Sequence, residues 1–308
     1  MGSAGRFAPS PSGDLHVGNL RTALLAWLFA RSTGRDFLIR MEDLDRVKAG
    51  SAERQLADLA ALGLTWSEPV VAQSERLGVY RAVVDDLIAA GETFECYCTR
   101  REIQDAPSAP HAPPGAYPGT CRDLSEQERE RRRTERPAAI RLRAAVSQFT
   151  VDDVLHGRYT GDVDDFVLVR GDGTPAYNLA VVVDDAASCI DQVVRGDDLL
   201  PSTPRQAYLA ERLGYPVPQY AHVPMVVNDA GVRLSKRDGA ITLEQLARLG
   251  YDTAAVLGTM AHSLGLAEPG EHVPADRLLE RFDPATLPRE PWVFVATPSP
   301  SAQRADRA

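Results

Sequence analysis

The chain has 308 residues, 44% of them hydrophobic, with a formal net charge of −9. That length and apolar content supply one large core or two smaller ones, and no apolar run approaches the roughly 20 residues of a membrane helix. The acidic balance excludes a protein that coats nucleic acid indiscriminately, though not a local basic groove.

From the N-terminus, which carries no apolar signal-type segment, Gly5-Arg6-Phe7-Ala8 is a short apolar entry ended by Pro9. Pro9, Pro11 and Gly13 then enforce a turn. Leu20, Ala23, Leu24, Trp27 and Leu28 recur at the spacing of one buried helical face, which predicts a helix starting near His16-Val17-Gly18-Asn19. Open N–H groups at such a start, beneath a Gly-containing turn, form an anion site, and His16 can add a hydrogen bond to a phosphate oxygen. Arg35 to Met41, around Phe37-Leu38-Ile39, reads as a buried parallel strand. The acidic Glu42-Asp43-Leu44-Asp45 follows its carboxyl end, where open α/β sheets bind ligands; a solvated acidic loop is the ordinary alternative. Helices over Ser51 to Leu62 and Tyr80 to Ala90, stopped by Gly63 and Gly91, complete a strand–helix alternation. The expected architecture is α/β, with a doubly wound, Rossmann-like and mostly parallel sheet.

Composition changes after Phe94. Cys96-Tyr97-Cys98, a Pro-rich loop from Ala106 to Gly119 and Cys121 contain too many breakers for a core element. Three thiols this close point to a metal or redox cluster instead of a disulfide framework. A fourth donor would close a tetrahedral zinc site: His111 is chemically the readier ligand, since the Tyr117 phenol must lose a proton of pKa about 10. Leu124 to Arg136 is a charged helix whose Arg131-Arg132-Arg133 run reads as a solvated face paired with Glu126, Glu128 and Glu130, with RNA backbone contact as the alternative. Asp172-Gly173 signals a hairpin turn between Phe166-Val167-Leu168-Val169-Arg170 and the next apolar stretch. Ser202-Thr203-Pro204 caps a helix running to Leu213, and a strand is expected over His222 to Val227. Lys236 is one of only two lysines, with Lys48, among 34 basic residues. A Thr242-x-x-Gln245 capping box opens helices that continue over Asp252 to Leu264 and Pro274 to Phe282. Beyond Pro288 a frayed end is expected, and the tail from Thr297 should be disordered.

The string Arg6-Phe7-Ala8-Pro9-Ser10-Pro11-Ser12-Gly13-Asp14-Leu15-His16-Val17-Gly18-Asn19 resembles the nucleotide-binding signature of the glutamyl-type class I aminoacyl-tRNA synthetases. His16-Val17-Gly18-Asn19 stands where that family's HIGH tetrapeptide stands, with Asn19 departing from the final His. Arg233-Leu234-Ser235-Lys236 is similar to the family's KMSKS loop, and Arg40-Met41-Glu42-Asp43-Leu44-Asp45 to its R-x-E-D-x-D. The resemblance implies ATP contacts at Pro9, His16, Gly18, Asn19, Ser235 and Lys236, with His16 and Lys236 catalytic and Mg²⁺ accompanying the nucleotide. It implies a glutamate pocket of Arg6, Ala8, Ser10, Glu42, Tyr177 and Arg195, Glu42 receiving the amino group. Cys96-x-Cys98 with Tyr117-x-x-x-Cys121 resembles the zinc pattern of the glutamyl-queuosine branch, which favours Tyr117 as fourth ligand.

The implied organisation has residues 1–95 and 166–240 as the two halves of the catalytic domain. Residues 96–165 would be a zinc-containing, acceptor-type insertion, 241–296 a short helical region and 297–308 a disordered tail. About 69 residues after Gly239 leave little room for an anticodon-reading helical domain. The resemblance therefore leads to a cytoplasmic, monomeric enzyme that activates glutamate with ATP and places it on the queuosine of tRNA(Asp), holding the anticodon stem-loop. The alternatives are a shortened enzyme charging tRNA(Glu), a small-molecule nucleotidyltransferase of the same superfamily, and a non-catalytic zinc-dependent RNA-binding module. Activation needs no general base, because a carboxylate nucleophile is already anionic. Alignment and donors aimed at phosphate charge must carry it, and an arginine fork suits a substrate carboxylate.

Overall fold

The computed structural model describes residues 2–105, 117–234 and 241–297. Its first part runs β1 (Ala4–Phe7), α1 (Val17–Ser32), β2 (Asp36–Met41), α2 (Ser51–Ala61), β3 (Ser67–Ala72), α3 (Leu77–Ala89) and β4 (Thr93–Cys96). Next come α4 (Arg100–Asp105), α5 (Glu126–Glu135), β5 (Ala139–Leu142), β6 (Gln148–Asp153), β7 (Gly157–Asp162) and β8 (Val167–Val169). The remainder is α6 (Tyr177–Ala187), β9 (Ile190–Gly196), α7 (Thr203–Arg212), β10 (Gln219–Val223), β11 (Val226–Val227), α8 (Leu243–Arg248), α9 (Thr253–Ser263), α10 (Ala275–Arg281) and β12 (Trp292–Val293).

The main sheet has the order β3-β2-β1-β9-β10-β6-β7. Every pair in it is parallel except the β6–β7 hairpin. Strand order reverses direction between β1 and β9, so the crevice outside their carboxyl ends is where an open α/β sheet binds ligands. β4, β5 and β8 make a separate antiparallel sheet. The hairpin β6–β7 comes from the stretch expected to belong to the insertion, yet β6 takes the open edge of β10 through the Tyr220 and Asp153 pairing. Conversely, β8, expected to begin the second catalytic half, joins the small sheet at Ile140 and Arg141.

Helix α1 differs from the single-faced helix expected. Leu24 to Ala30 are all buried, because α1 lies between the sheet and the C-terminal helices, sharing one core with Leu257, Met260 and Leu278. Apolar residues therefore run round the helix and not along one stripe, as befits a helix covered on every side. The opposite face of the sheet is covered by α6 and α7, and α3 packs against α6 and the small sheet around Tyr80, Leu179 and Leu209.

Three further expectations are corrected. The hairpin at Asp172-Gly173 exists, with Gly173 N–H donating to Arg170 O at 2.9 Å, but only a bridge from Val169 to Pro175 follows before α6 begins. The β-branched Val181-Val182-Val183 is helical there because burial between α3 and α7 outweighs its strand propensity. The strand expected over His222 to Val227 is broken at Pro224, which has no N–H to give, into β10 and β11. Residues after Pro288 do not fray: β12 pairs parallel with β11, Trp292 N–H bonding Met225 O at 3.0 Å. The tail beyond residue 297 lies outside the described residues.

Candidate active site at the carboxyl ends of β1 and β9

Pro9 stops β1, and the chain returns to α1 through a loop that is held from below. Gln55 on α2, buried, donates to Ser10 O at 3.1 Å and to Gly13 O at 2.6 Å. Glu42 N–H bonds Pro9 O and Lys48 N–H bonds Pro11 O, at 2.9 and 2.8 Å. The loop's shape is thus fixed by backbone contacts before any ligand arrives.

His16 is the N-cap of α1. Its Nδ1 accepts the Asn19 N–H at 3.3 Å, and the Asn19 side chain accepts the His16 N–H at 3.4 Å. An accepting Nδ1 in a neutral imidazole puts the ring proton on Nε2, which makes that atom the donor. Val17 N–H is taken by Ile241 O at 3.0 Å. The expected open helix start therefore reduces to Gly18, whose N–H has no partner among the described residues. A side chain at Gly18 would sit 3.0 Å from the His16 ring.

These residues form one wall of a cleft of about 510 Å³ that also takes in Arg6, Ala8, Pro9, Ser10, Glu42, Tyr177 and Arg195. Below it lies a buried ion network. Asp185 receives Arg6 Nε at 3.2 Å and Arg40 Nη1 at 2.6 Å, while Arg40 Nη2 reaches Glu42 at 3.2 Å. Asp184 receives Arg76 at 2.6 Å, Gln73 at 2.9 Å and the Tyr80 hydroxyl at 2.8 Å. Burial works to raise the Asp185 carboxyl, but Arg40 and Arg6 hold it below the usual range. Burial pushes the Glu42 carboxyl up, with Arg40 and Arg6 pulling against it. Glu42 is thus a partly desolvated carboxylate sharing one arginine with two other acids, placed to gain from a cationic ligand.

Arg195, at the end of β9, is bound differently. Its Nε donates to His222 Nε2 at 3.1 Å, Nη1 to Gln206 at 2.7 Å and Nη2 to Thr203 Oγ at 2.8 Å. All three acceptors are neutral. Tyr177 opens α6 at the rim and keeps 37% of its surface exposed.

Away from the cleft, Cys96, Cys98 and Cys121 place their sulfurs within 4.8 Å of one another. Tyr117 joins them: its hydroxyl lies 3.4 Å from Cys96 Sγ and accepts the Cys121 N–H at 2.7 Å, with the Arg141 guanidinium 3.8 Å above its ring. Burial and the neighbouring Cys96 push the Cys98 thiol up to about 12. Against the same burial, Tyr117 and Arg141 hold Cys96 low. Three sulfurs gathered this closely are a ligand set that suits a soft divalent ion.

Residues 4–297 match the family described as tRNA synthetases class I (E and Q), catalytic domain. The chain belongs to that family. Among similar class I synthetases, the glutamyl-Q tRNA(Asp) synthetase of Nocardia farcinica is 65% identical over 96% of this chain and 94% of its own length. The glutamate–tRNA ligase of Geobacter sulfurreducens is 41% identical over 94% of this chain and 63% of its own length. The crystal structure of glutamate-tRNA synthetase from Elizabethkingia anophelis superposes with a TM-score of 0.81 at 27% identity, over 96% of this chain and 68% of that one. These relatives are aminoacyl-tRNA synthetase-like ligases, and this class I synthetase is likewise an enzyme.

The cleft brings together Arg6, Ala8, Pro9, Ser10, His16, Gly18, Asn19, Glu42, Tyr177 and Arg195. Ser235, Lys236 and His111 lie outside the described residues. Sequence reasoning missed Gln55, Arg40, Asp184, Asp185, His222 and Asp153. Asp184-Asp185 ending an apolar run on α6 was the one available signal, since two acids at the end of a buried segment demand partners. Among the described residues no helix is long and apolar enough to cross a membrane.

Proposed function

We propose that this class I synthetase condenses glutamate with ATP to glutamyl-adenylate, releasing pyrophosphate, and transfers the glutamate to the queuosine nucleoside of tRNA(Asp). The observation that carries the first half is the charge gathered in the cleft: a desolvated carboxylate, Glu42, lines it together with two arginines, Arg6 and Arg195. An amino acid with an acidic side chain has the complementary layout, an ammonium for Glu42 and two carboxylates for the arginines. The second half rests on the likeness, over 96% of the chain, to a protein named for glutamylating queuosine in tRNA(Asp).

In this mechanism Glu42 fixes the ammonium, and the arginines hold the substrate so that its α-carboxylate can approach the α-phosphate in line. The Nε2–H of His16, the Gly18 N–H and Lys236 donate to phosphate oxygens as charge develops on them. Pro9, Asn19 and Ser235 complete the nucleotide contacts, while Ala8, Ser10 and Tyr177 shape the amino-acid side. Bound Mg²⁺ would neutralise the charge on the phosphates. No side chain takes a proton in the first step. In the second, a nucleoside hydroxyl of the RNA attacks the activated carbonyl, the new ester bond forms as the carbonyl–phosphate bond breaks, and AMP leaves with the hydroxyl proton passing to its phosphate.

The cysteine cluster fits a zinc ion held by Cys96, Cys98, Cys121 and Tyr117, an ion that would tie the end of β4 to the loop before α5 and brace the surface beside the small sheet. On this reading residues 96–165 hold the anticodon stem-loop. Helix α5 contributes little to that grip: its arginines are paired with Glu95, Glu126, Glu128 and Glu135.

Incubation with ATP and labelled glutamate separates the readings. Label on queuosine-containing tRNA(Asp) alone, surviving periodate oxidation of the 3′ end, is expected. Label on tRNA(Glu), or equal label on tRNA(Asp) lacking queuosine, would instead indicate a glutamate–tRNA ligase.

A further inference from the structure

Arg195 is 6% exposed, yet its three hydrogen-bond partners are a histidine nitrogen, an amide oxygen and a hydroxyl. This is unusual beside Arg6 and Arg40, which are both ion-paired with Asp185. The guanidinium has five N–H donors, and these three bonds leave two to a ligand. What allows a buried cation to stand with no acid bonded to it among the described residues is a second row of residues.

His222, fully buried on β10, is set by Asp153 on the neighbouring β6. Asp153 Oδ2 accepts both the Nδ1–H, at 2.6 Å, and the backbone N–H of His222, at 3.1 Å. Its Oδ1 is occupied by the N–H groups of Leu155 and His156, each at 2.9 Å. With the ring proton on Nδ1, Nε2 presents a lone pair to Arg195 Nε–H. The opposite tautomer would set two donors against each other. Thr203 Oγ, 3.0 Å from the same Nε2, closes the arrangement.

We infer that Asp153 and His222 are positioning residues for substrate specificity: they fix the Arg195 fork through a neutral, tautomer-locked imidazole, so that its charge is reserved for the side-chain carboxylate of the substrate. The inference rests on the glutamate reading above. It follows that glutamate is favoured over glutamine because only the carboxylate satisfies a charge that no acid among the described residues pairs with. The relay also explains why β6 must reach the main sheet, since Asp153 could not otherwise stand beside β10.

The test is amino-acid-dependent pyrophosphate–ATP exchange on the full chain with His222→Ala, His222→Gln and Asp153→Asn. In Asp153→Asn the side-chain amide is driven toward His222, where it opposes one backbone N–H, because turning it the other way would oppose two, those of Leu155 and His156. The imidazole proton then moves to Nε2, against Arg195. The expected result is a KM for glutamate raised roughly tenfold or more with kcat and the KM for ATP little changed, the signature of lost ground-state binding. Preference for glutamate over glutamine should fall in parallel, and His222→Gln, whose carbonyl oxygen can still accept, should recover part of the loss. Nitrogen-15 shifts of His222 should report the δ tautomer in the natural chain and the ε tautomer in Asp153→Asn. A glutamate KM within twofold of normal in folded Asp153→Asn, together with an unchanged preference over glutamine, would overturn the inference. Absence of glutamate-dependent exchange in the natural chain would instead overturn the glutamate reading, and the inference with it.

Discussion

His16 and Asn19 cap one another: the imidazole Nδ1 accepts the Asn19 N–H, and the Asn19 side-chain oxygen accepts the His16 N–H. One residue thus serves α1 with one nitrogen and offers a donor with the other, and the two roles can be separated. Asparagine is also a good N-cap, so His16→Asn should keep stability within a few tenths of a kcal/mol while slowing adenylate formation by about 100-fold. His16→Ala should lose the same rate and, in addition, about 1 kcal/mol of stability. Pyrophosphate exchange and denaturant unfolding measure the pair. Lys236→Ala is expected to match the rate loss with no change in unfolding; a near-normal rate would remove it from the phosphate contacts.

The cysteine cluster predicts one zinc per chain, purified without added metal. Cys121→Ser should abolish it. Tyr117→Phe should retain zinc yet surrender it to a chelator faster than the natural chain, because three thiolates remain while the fourth position opens to water. Metal analysis before and after chelator treatment decides the matter, and an indifferent Tyr117→Phe would move the fourth ligand elsewhere.

Asp58, half-buried on α2, is pushed up to about 6 by burial and by the nearby Asp14, against the pull of Arg54. An acid whose folded pKa is raised binds a proton more readily when folded, so it loses stability as pH rises from about 4 through 6. Asp58→Asn should therefore stabilise the protein at pH 7.5, by about 1–2 kcal/mol after allowance for solvent screening, and should leave it unchanged near pH 3.5. Thermal unfolding at the two pH values tests the sign.

Gly258 lets α9 press against the backbone before α10. A methyl group there would lie 2.2 Å from Glu271 O, a main-chain atom that cannot swing away. Despite alanine's better helix propensity, Gly258→Ala should destabilise the fold by about 1–3 kcal/mol. A raised melting temperature would contradict this packing.

Legibility in the sequence followed the range of the interaction. The β1 turn, the start of α1, the Thr242 box and the glycine stops depend on neighbours a few residues away, and each stands where its local chemistry puts it. The cleft residues drawn from the motifs also converge. What escaped was long-range: Asp153 and His222 are 69 residues apart, and Arg40 and Asp185 are 145 apart. Nothing around Asp153 announces that its partner lies on another strand. The stretch after the Asp172-Gly173 turn is helical for the same reason, since the strand propensity of its valines is local and the burial that overrides it is not.

The pairing of β12 with β11 has an optical consequence. Trp292 N–H is bonded to Met225 O, its indole lies 5.7 Å from the Arg21 guanidinium and 4.9 Å from the Phe294 ring, and Met225 itself lines the cleft. The other two tryptophans, Trp27 and Trp66, are engaged elsewhere, with Thr65 O and Glu68. A ligand that shifts Met225 thereby changes the surroundings of one fluorophore that it never touches. With Trp27 and Trp66 replaced by phenylalanine, emission from Trp292 becomes a built-in gauge of cleft occupancy, readable in stopped flow without labelling either substrate.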